Sequence, residues 1–383
     1  MNQNKKPLRK IEGLIFFFAI LTIQVIQATL SWPLLKYWKF NGDYRFQDLG
    51  LTQEQIRCEL NESSCSNLSP FVYGKSLLLF SKFFRVHEIN TDFLGWLTFI
   101  TLTSLVLSLI AQARTQRTAY ALTAFLMVAP PYQLLVERMN LDAFILIGTF
   151  SAAFFASRGK YLTSVAFLTF ITLAKFYTIL TLLMIPVNTS RLRKRLFYIF
   201  FCTLSFVTFF QLVTIRQALT PLGGGAFGVP VLSYWISKFG NFHVELFVTM
   251  LVLGILTISF MSSYSILRKI EDEITNFNDF EKNLSRFLFL VVIVTYLGGP
   301  NWDYRLIFLN LLILMILSRS SIKSVSKLVY FQLLTYFVLL NSLSFNVAGY
   351  LQFVGDLAIS LSILIVGVVL WHDYRIPLKN EIK

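Results

Sequence analysis

Four short runs of this 383-residue chain carry ionisable side chains against an apolar background. The first holds Asn41, Asp43, Arg45 and Asp48, and the second Glu137, Arg138, Asn140 and Asp142. Lys175, with Tyr177 nearby, stands alone in a third, and Asn301, Asp303, Tyr304 and Arg305 make the fourth. Arg138, Lys175 and Arg305 would suit an anionic head group. A phosphate is the natural choice, because arginine's planar fork donates two parallel hydrogen bonds to it. A nearby aspartate, with no metal beside it, would take the proton from an incoming hydroxyl. Such parts would support transfer from a lipid phosphate carrier to an acceptor alcohol.

Taken singly, each cluster could equally be a solvated loop or a helix cap, and Asn140 or Asp142 would cap the helix that follows. Taken together they fit that reading less well. Glu137–Asp142 and Asn301–Arg305 abut apolar runs on both sides with almost no spacer, and each sets an acid beside an arginine. No metal-ligand spacing appears: His87, His243 and His372 lie far apart. The glycines 223–225 do not precede a helix in the manner of a nucleotide-binding loop, so no cofactor is implied.

Composition fixes the class of element that must hold these residues. Hydrophobic residues are 55% of the chain and charged residues 14%, where a soluble domain carries about 25% charged. Mean hydropathy is +0.64. An all-α, polytopic membrane bundle is expected, forming one integral domain over residues 1–383. Apolar stretches at 13–33, 92–112, 119–136, 141–157, 161–187, 196–216, 244–267, 286–298, 306–318, 328–344 and 352–371 are the candidate spans.

The net charge of +14 raises the possibility of nucleic-acid binding, but the basic residues sit in short runs between those stretches, as cytoplasmic loops do. No nucleic-acid partner is expected. With the N-terminus inside, 34–91 becomes the first extracytoplasmic loop and residues 130–141 also fall outside. A single crossing by 161–187 would put Arg191, Arg193, Lys194 and Arg195 outside and Lys175 at mid-bilayer, where a lone charge is costly. Both conflicts disappear if 161–187 is a hairpin of two short helices with Lys175 near its outer tip. About 12 membrane segments result, with both termini cytoplasmic and all four polar runs at the outer surface.

The basic N-terminus and first apolar stretch read as a retained helix, since no small-residue cleavage site follows. Cys202 sits in an apolar span as packing, whereas Cys58 and Cys65 share the first loop and would pair if it faces an oxidising compartment. Sequons at Asn61 and Asn67 would matter only in a eukaryotic host.

Several of these segments resemble bacterial family-87 glycosyltransferases. "ERMNLDAF" is similar to their ERGNxD segment, "LAKFYTILTLL" to their lysine-tyrosine-proline hairpin, and "NWDYRLIFL" to their DYRLIFL segment. "NGDYR" resembles their acidic first-loop motif, and "SPFVYGKSLLLF" stands where they carry paired prolines. Met139 replaces the usual glycine and Thr178 the usual proline. The resemblance spans about residues 10–320 and implies a GT-C fold that moves mannose or a similar sugar, with inversion, from a polyprenyl-phosphate donor to the hydroxyl of a glycan, lipid or other acceptor. It makes Asp43 the base, with Asp48 as substitute, and gives the donor phosphate to Arg138, Lys175 and Arg305. Glu137, Asn140, Asp142 and Asp303 would position those cations or the sugar, with Arg45, Tyr177, Asn301 and Tyr304 in support.

Two other classes compete. A transporter or lipid flippase needs a polar path to both faces and often internal repeats, whereas these polar residues gather toward one face. A non-enzymatic scaffold would tolerate loss of Asp43, Arg138 and Arg305 together.

Overall fold

The computed structural model describes residues 12–16, 18–22, 46–61, 75–111, 116–185, 197–207, 226–228, 231–232, 277–298, 301–302, 305–319, 333–338, 340, 356–367 and 369–370. These are all-α apart from one two-residue antiparallel ladder, which pairs Ala226 with Trp302 and Phe227 with Asn301.

At the centre lies Leu306–Arg319, whose residues from Leu306 to Ser318 are all buried. A helix that is apolar on every face must be enclosed on every side. The Asp279–Gly298 helix packs along it, and also against Leu141–Ser157 and the 3₁₀ segment Phe176–Met184. Tyr161–Ala174 packs on Leu141–Ser157, and Gln116–Val128 covers another side of Leu306–Arg319. Small residues permit close approach in places. A Cβ on Gly148 would stand 2.3 Å from Ile171, so this glycine lets the Leu141–Ser157 helix press onto its neighbour.

Among the described residues one helix, Thr91–Leu109, is long and apolar enough to cross a membrane. Ala119–Val128 and Pro131–Arg138 add a second only if taken together across a 52° bend. The single span expected over 119–136 is therefore broken. Pro130 and Pro131 open the second helix, where their missing N–H groups cost nothing, but they cannot continue the first. Leu141–Ser157 and Leu306–Arg319 are shorter, at 17 and 14 residues.

The 161–187 stretch is broken at Lys175, as the hairpin reading expects. Tyr161–Ala174 is α-helical, Lys175 is extended (φ −145°, ψ 122°), and Phe176–Met184 continues as a tight 3₁₀ turn packed back on the first half. Thr178 holds the break: its hydroxyl donates to the Lys175 carbonyl at 3.1 Å and meets the Thr172 hydroxyl at 3.0 Å. The expected first loop is also not irregular. It contains the helices Gln47–Asn61 and Lys75–Phe84 and a turn at Val86–Glu88. Cys58 on the first of these is disulfide-bonded, whereas Cys202 is free and exposed.

Candidate functional site

Glu137–Asp142 lies where one helix ends and the next begins. Met139 closes Pro130–Arg138 in the left-handed conformation (φ 43°, ψ 51°), its N–H bonding the Leu135 carbonyl at 2.8 Å. A residue with a side chain pays strain there that glycine avoids, so the glycine usual in the resembled motif has a physical rationale. Asn140 then caps the next helix, its side-chain oxygen accepting the Asp142 N–H at 2.8 Å. The back-to-back caps aim Arg138 and Asp142 into the same region from two helices.

Asp142 is fully buried, and one of its oxygens organises the centre of the site. Its Oδ2 accepts from Lys175 Nζ at 2.9 Å and from Arg305 Nε at 3.2 Å. Those side chains are 10% and 17% exposed, so they stand between the carboxylate and solvent. The Tyr177 ring lies beside both cations, 5.8 Å from Lys175 Nζ and 5.5 Å from Arg305 Cζ, within cation–π range. Asp142, Lys175 with Tyr177, and Arg305 come from three of the four runs singled out in the sequence.

Asp48 brings in the remaining run. Its Oδ1 accepts from Arg138 Nη1 at 2.9 Å, with both side chains about one-fifth exposed. Phe46 positions it: a left-handed residue (φ 58°) whose N–H donates to the Glu137 carbonyl at 2.8 Å. The Phe46 ring lies so close to Gly95 that a Cβ there would stand 2.1 Å from it. Further along the helix, Gln53 donates to the Val86 and Ile89 carbonyls at 3.0 Å and accepts from Thr91 at 2.5 Å. The helix bearing Asp48 is thus fixed at two points.

Burial raises the Asp48 carboxyl above its ordinary range, and Arg138 foremost, then Lys175 and Asn140, pull it back only partway. Glu137 is pushed up to about 6, again chiefly by burial, with Arg138 opposing and Asp48 adding to the rise. A carboxylate with raised proton affinity is better suited to accepting a proton near neutrality.

Asp48, Arg138, Asn140, Asp142, Lys175, Tyr177 and Arg305 therefore gather into two adjoining ion-paired groups. Asn301 lies in the short ladder beside them in sequence. Asp43, Arg45, Asp303 and Tyr304 lie outside the described residues, as do the glycines 223–225. Sequence reasoning missed Phe46, Gly95 and Gln53, which hold the site together, and noted Thr178 only as a replacement for proline. A non-glycine left-handed turn leaves no sequence signal, and Gln53 looks like any helix-surface glutamine. Among the described residues no group of three or more His, Cys, Asp or Glu side chains could hold a metal ion. No protein-family model, curated protein or solved structure matches the chain.

Proposed function

We propose that this chain is a multi-pass membrane glycosyltransferase of GT-C type, with about 12 membrane segments, acting on the outer face of a bacterial plasma membrane. The observation that carries the reading is the meeting of Asp48–Arg138 with Asp142–Lys175–Arg305, from four separated stretches of chain. Isolated solvated loops would have no reason to converge, whereas an anion site at membrane depth requires it.

In this reading a polyprenyl-phosphate sugar, most simply a mannose donor, presents its phosphate to Arg138, Lys175 and Arg305. A carboxylate of the first loop, Asp43 or Asp48, takes the proton from the acceptor hydroxyl. The acceptor oxygen then bonds to the anomeric carbon as that carbon's bond to the phosphate oxygen breaks. Polyprenyl phosphate leaves with the electron pair, its added negative charge met by the cations. The raised Asp48 supports it as a base, while the resemblance favours Asp43. Asp43→Asn and Asp48→Asn separate them: the variant that loses transfer while still reaching the membrane identifies the base. The decisive assay incubates purified protein with labelled polyprenyl-phosphate sugars and an acceptor. Label transfer from one donor is expected; lipid or solute movement in vesicles without transfer would favour a transporter instead.

A further inference from the structure

Two buried polar atoms in the site have work left to do. Asp142 uses only Oδ2 on its cations, and its Oδ1 has no hydrogen-bond partner among the described residues. The Tyr177 hydroxyl, on a ring only 4% exposed, likewise has none. Stranding such atoms is unfavourable by about 1–3 kcal/mol each, and folded proteins rarely leave them so without a purpose. A phenylalanine at 177 would keep the ring beside the cations without that cost, so stability alone does not account for the hydroxyl.

The pair of atoms restricts what can complete them. Ionised Asp142 Oδ1 only accepts, while the Tyr177 hydroxyl can donate. A ligand carbonyl would serve only the tyrosine, and an ammonium only the aspartate. A hydroxyl, which both donates and accepts through one oxygen, is the smallest ligand group that serves the two together. The two residues share the same two cations: Asp142 Oδ2 bonds Lys175 and Arg305, the Tyr177 ring lies beside both, and the cations are the partly exposed members of the group.

We infer that Asp142 and Tyr177 read a hydroxyl next to the anion, so that the site selects a polyol phosphate ester over a bare or deoxygenated one. The inference builds on the phosphate reading above and adds the specificity-determining residues. Deleting the Tyr177 hydroxyl should impair recognition while leaving the fold as stable or more so, a trade-off typical of preorganised sites.

The test uses the full chain purified in detergent, as wild type and Tyr177→Phe. Binding is measured for a hexose 1-phosphate, its monodeoxy analogues and inorganic phosphate, alongside thermal unfolding. Wild type should bind the hexose 1-phosphate about tenfold more tightly than one of the monodeoxy analogues, the worth of one good hydrogen bond. Tyr177→Phe should erase that preference and unfold at the same or a higher temperature. The inference is overturned if wild type binds no hexose 1-phosphate, if it ignores every deoxygenation, or if the variant weakens phosphate and hexose phosphate alike. A hydroxyl preference that survives while no polyprenyl-phosphate sugar supports transfer would remove the transferase reading and leave this subsite standing.

Discussion

Two buried carboxylates of this protein each hold arginine, and they are finished differently. Glu281 sits at the start of the Asp279–Gly298 helix, and its Oε1 accepts from Arg319 Nε at 2.9 Å and Nη2 at 2.7 Å. Its Oε2 accepts the Asn278 N–H at 3.0 Å, while Asn278 returns a bond to the Glu281 N–H at 2.9 Å. Both oxygens are used, two arginine donors converge on one of them, and the helix start is capped by the other. Asp142, near the other end of the paired helices, spends one oxygen on two cations and leaves the second without a partner among the described residues. The first arrangement is closed, as a structural clamp should be. The second leaves one buried acceptor unused.

The largest effect should come from breaking the open cluster. Asp142→Ala leaves Lys175 and Arg305 facing each other with little solvent between them. Removing one partner of a buried ion pair costs about 3–5 kcal/mol, so denaturation in detergent should show a loss of that order, with transfer abolished. A variant that unfolds normally and still transfers sugar would remove Asp142 from the centre of the site.

Next in size is the closed clamp. Glu281→Ala should lower stability by about 3 kcal/mol, the low end for removing one partner of a buried ion pair, because a single cation is left behind rather than two. Activity per folded molecule should hold, because Glu281 and Arg305 sit about 20 Å apart along these helices. The sharper contrast is apolar replacement. Glu281→Leu with Arg319→Met should restore most of the lost stability, since well-packed apolar groups substitute adequately for a buried ion pair. The same treatment of Asp142, Lys175 and Arg305 should give a folded protein without activity. If both replacements left transfer intact, the two clusters would be equally structural.

The contrast also shows which parts of the molecule are legible from sequence. The helical class follows from the apolar stretches, and those at 92–112, 141–157 and 306–318 fall close to the described helices Thr91–Ala111, Leu141–Ser157 and Leu306–Arg319, whereas 244–267 lies outside the described residues. Lys175 betrays the break in its segment because a charge amid apolar residues needs a reason. Acid–base neighbours such as Glu137–Arg138 flag the site for the same reason. The expected 119–136 span is bent rather than straight because the consequence of Pro130–Pro131 is local geometry, which a continuous apolar pattern does not reveal. Glu281–Arg319 was invisible because its partners are 38 residues apart and each looks like an ordinary helix-end charge. Gly95 carries meaning only once Phe46 is known to lie against it.

That last contact sets a smaller effect. In Gly95→Ala the new Cβ would meet three Phe46 ring atoms at 2.1, 2.4 and 2.5 Å, so the ring must move. Overpacking of this kind costs about 1–3 kcal/mol. Phe46 is two residues from Asp48, so the displacement should weaken transfer beyond what the stability loss explains. Activity per folded molecule, measured well below the unfolding temperature, checks this, and an unchanged value would uncouple the Phe46 contact from the Asp48–Arg138 pair.

The smallest expected effect is a pH dependence confined to the open side of the molecule. Glu137 has a folded pKa near 6 against an ordinary 4.5, chiefly because burial disfavours its charge. Between those values the folded state binds more protons than the unfolded one, so stability falls as pH rises from 4.5 to 6 and levels off above. The raised Asp48 carboxyl acts in the same direction. Glu137→Gln removes the larger contributor, so its unfolding temperature should vary less than wild type across that interval and exceed it above pH 6. Parallel profiles for the two proteins would mean that Glu137 is solvated rather than held in the site, and would leave Asp48 to account for any remaining slope.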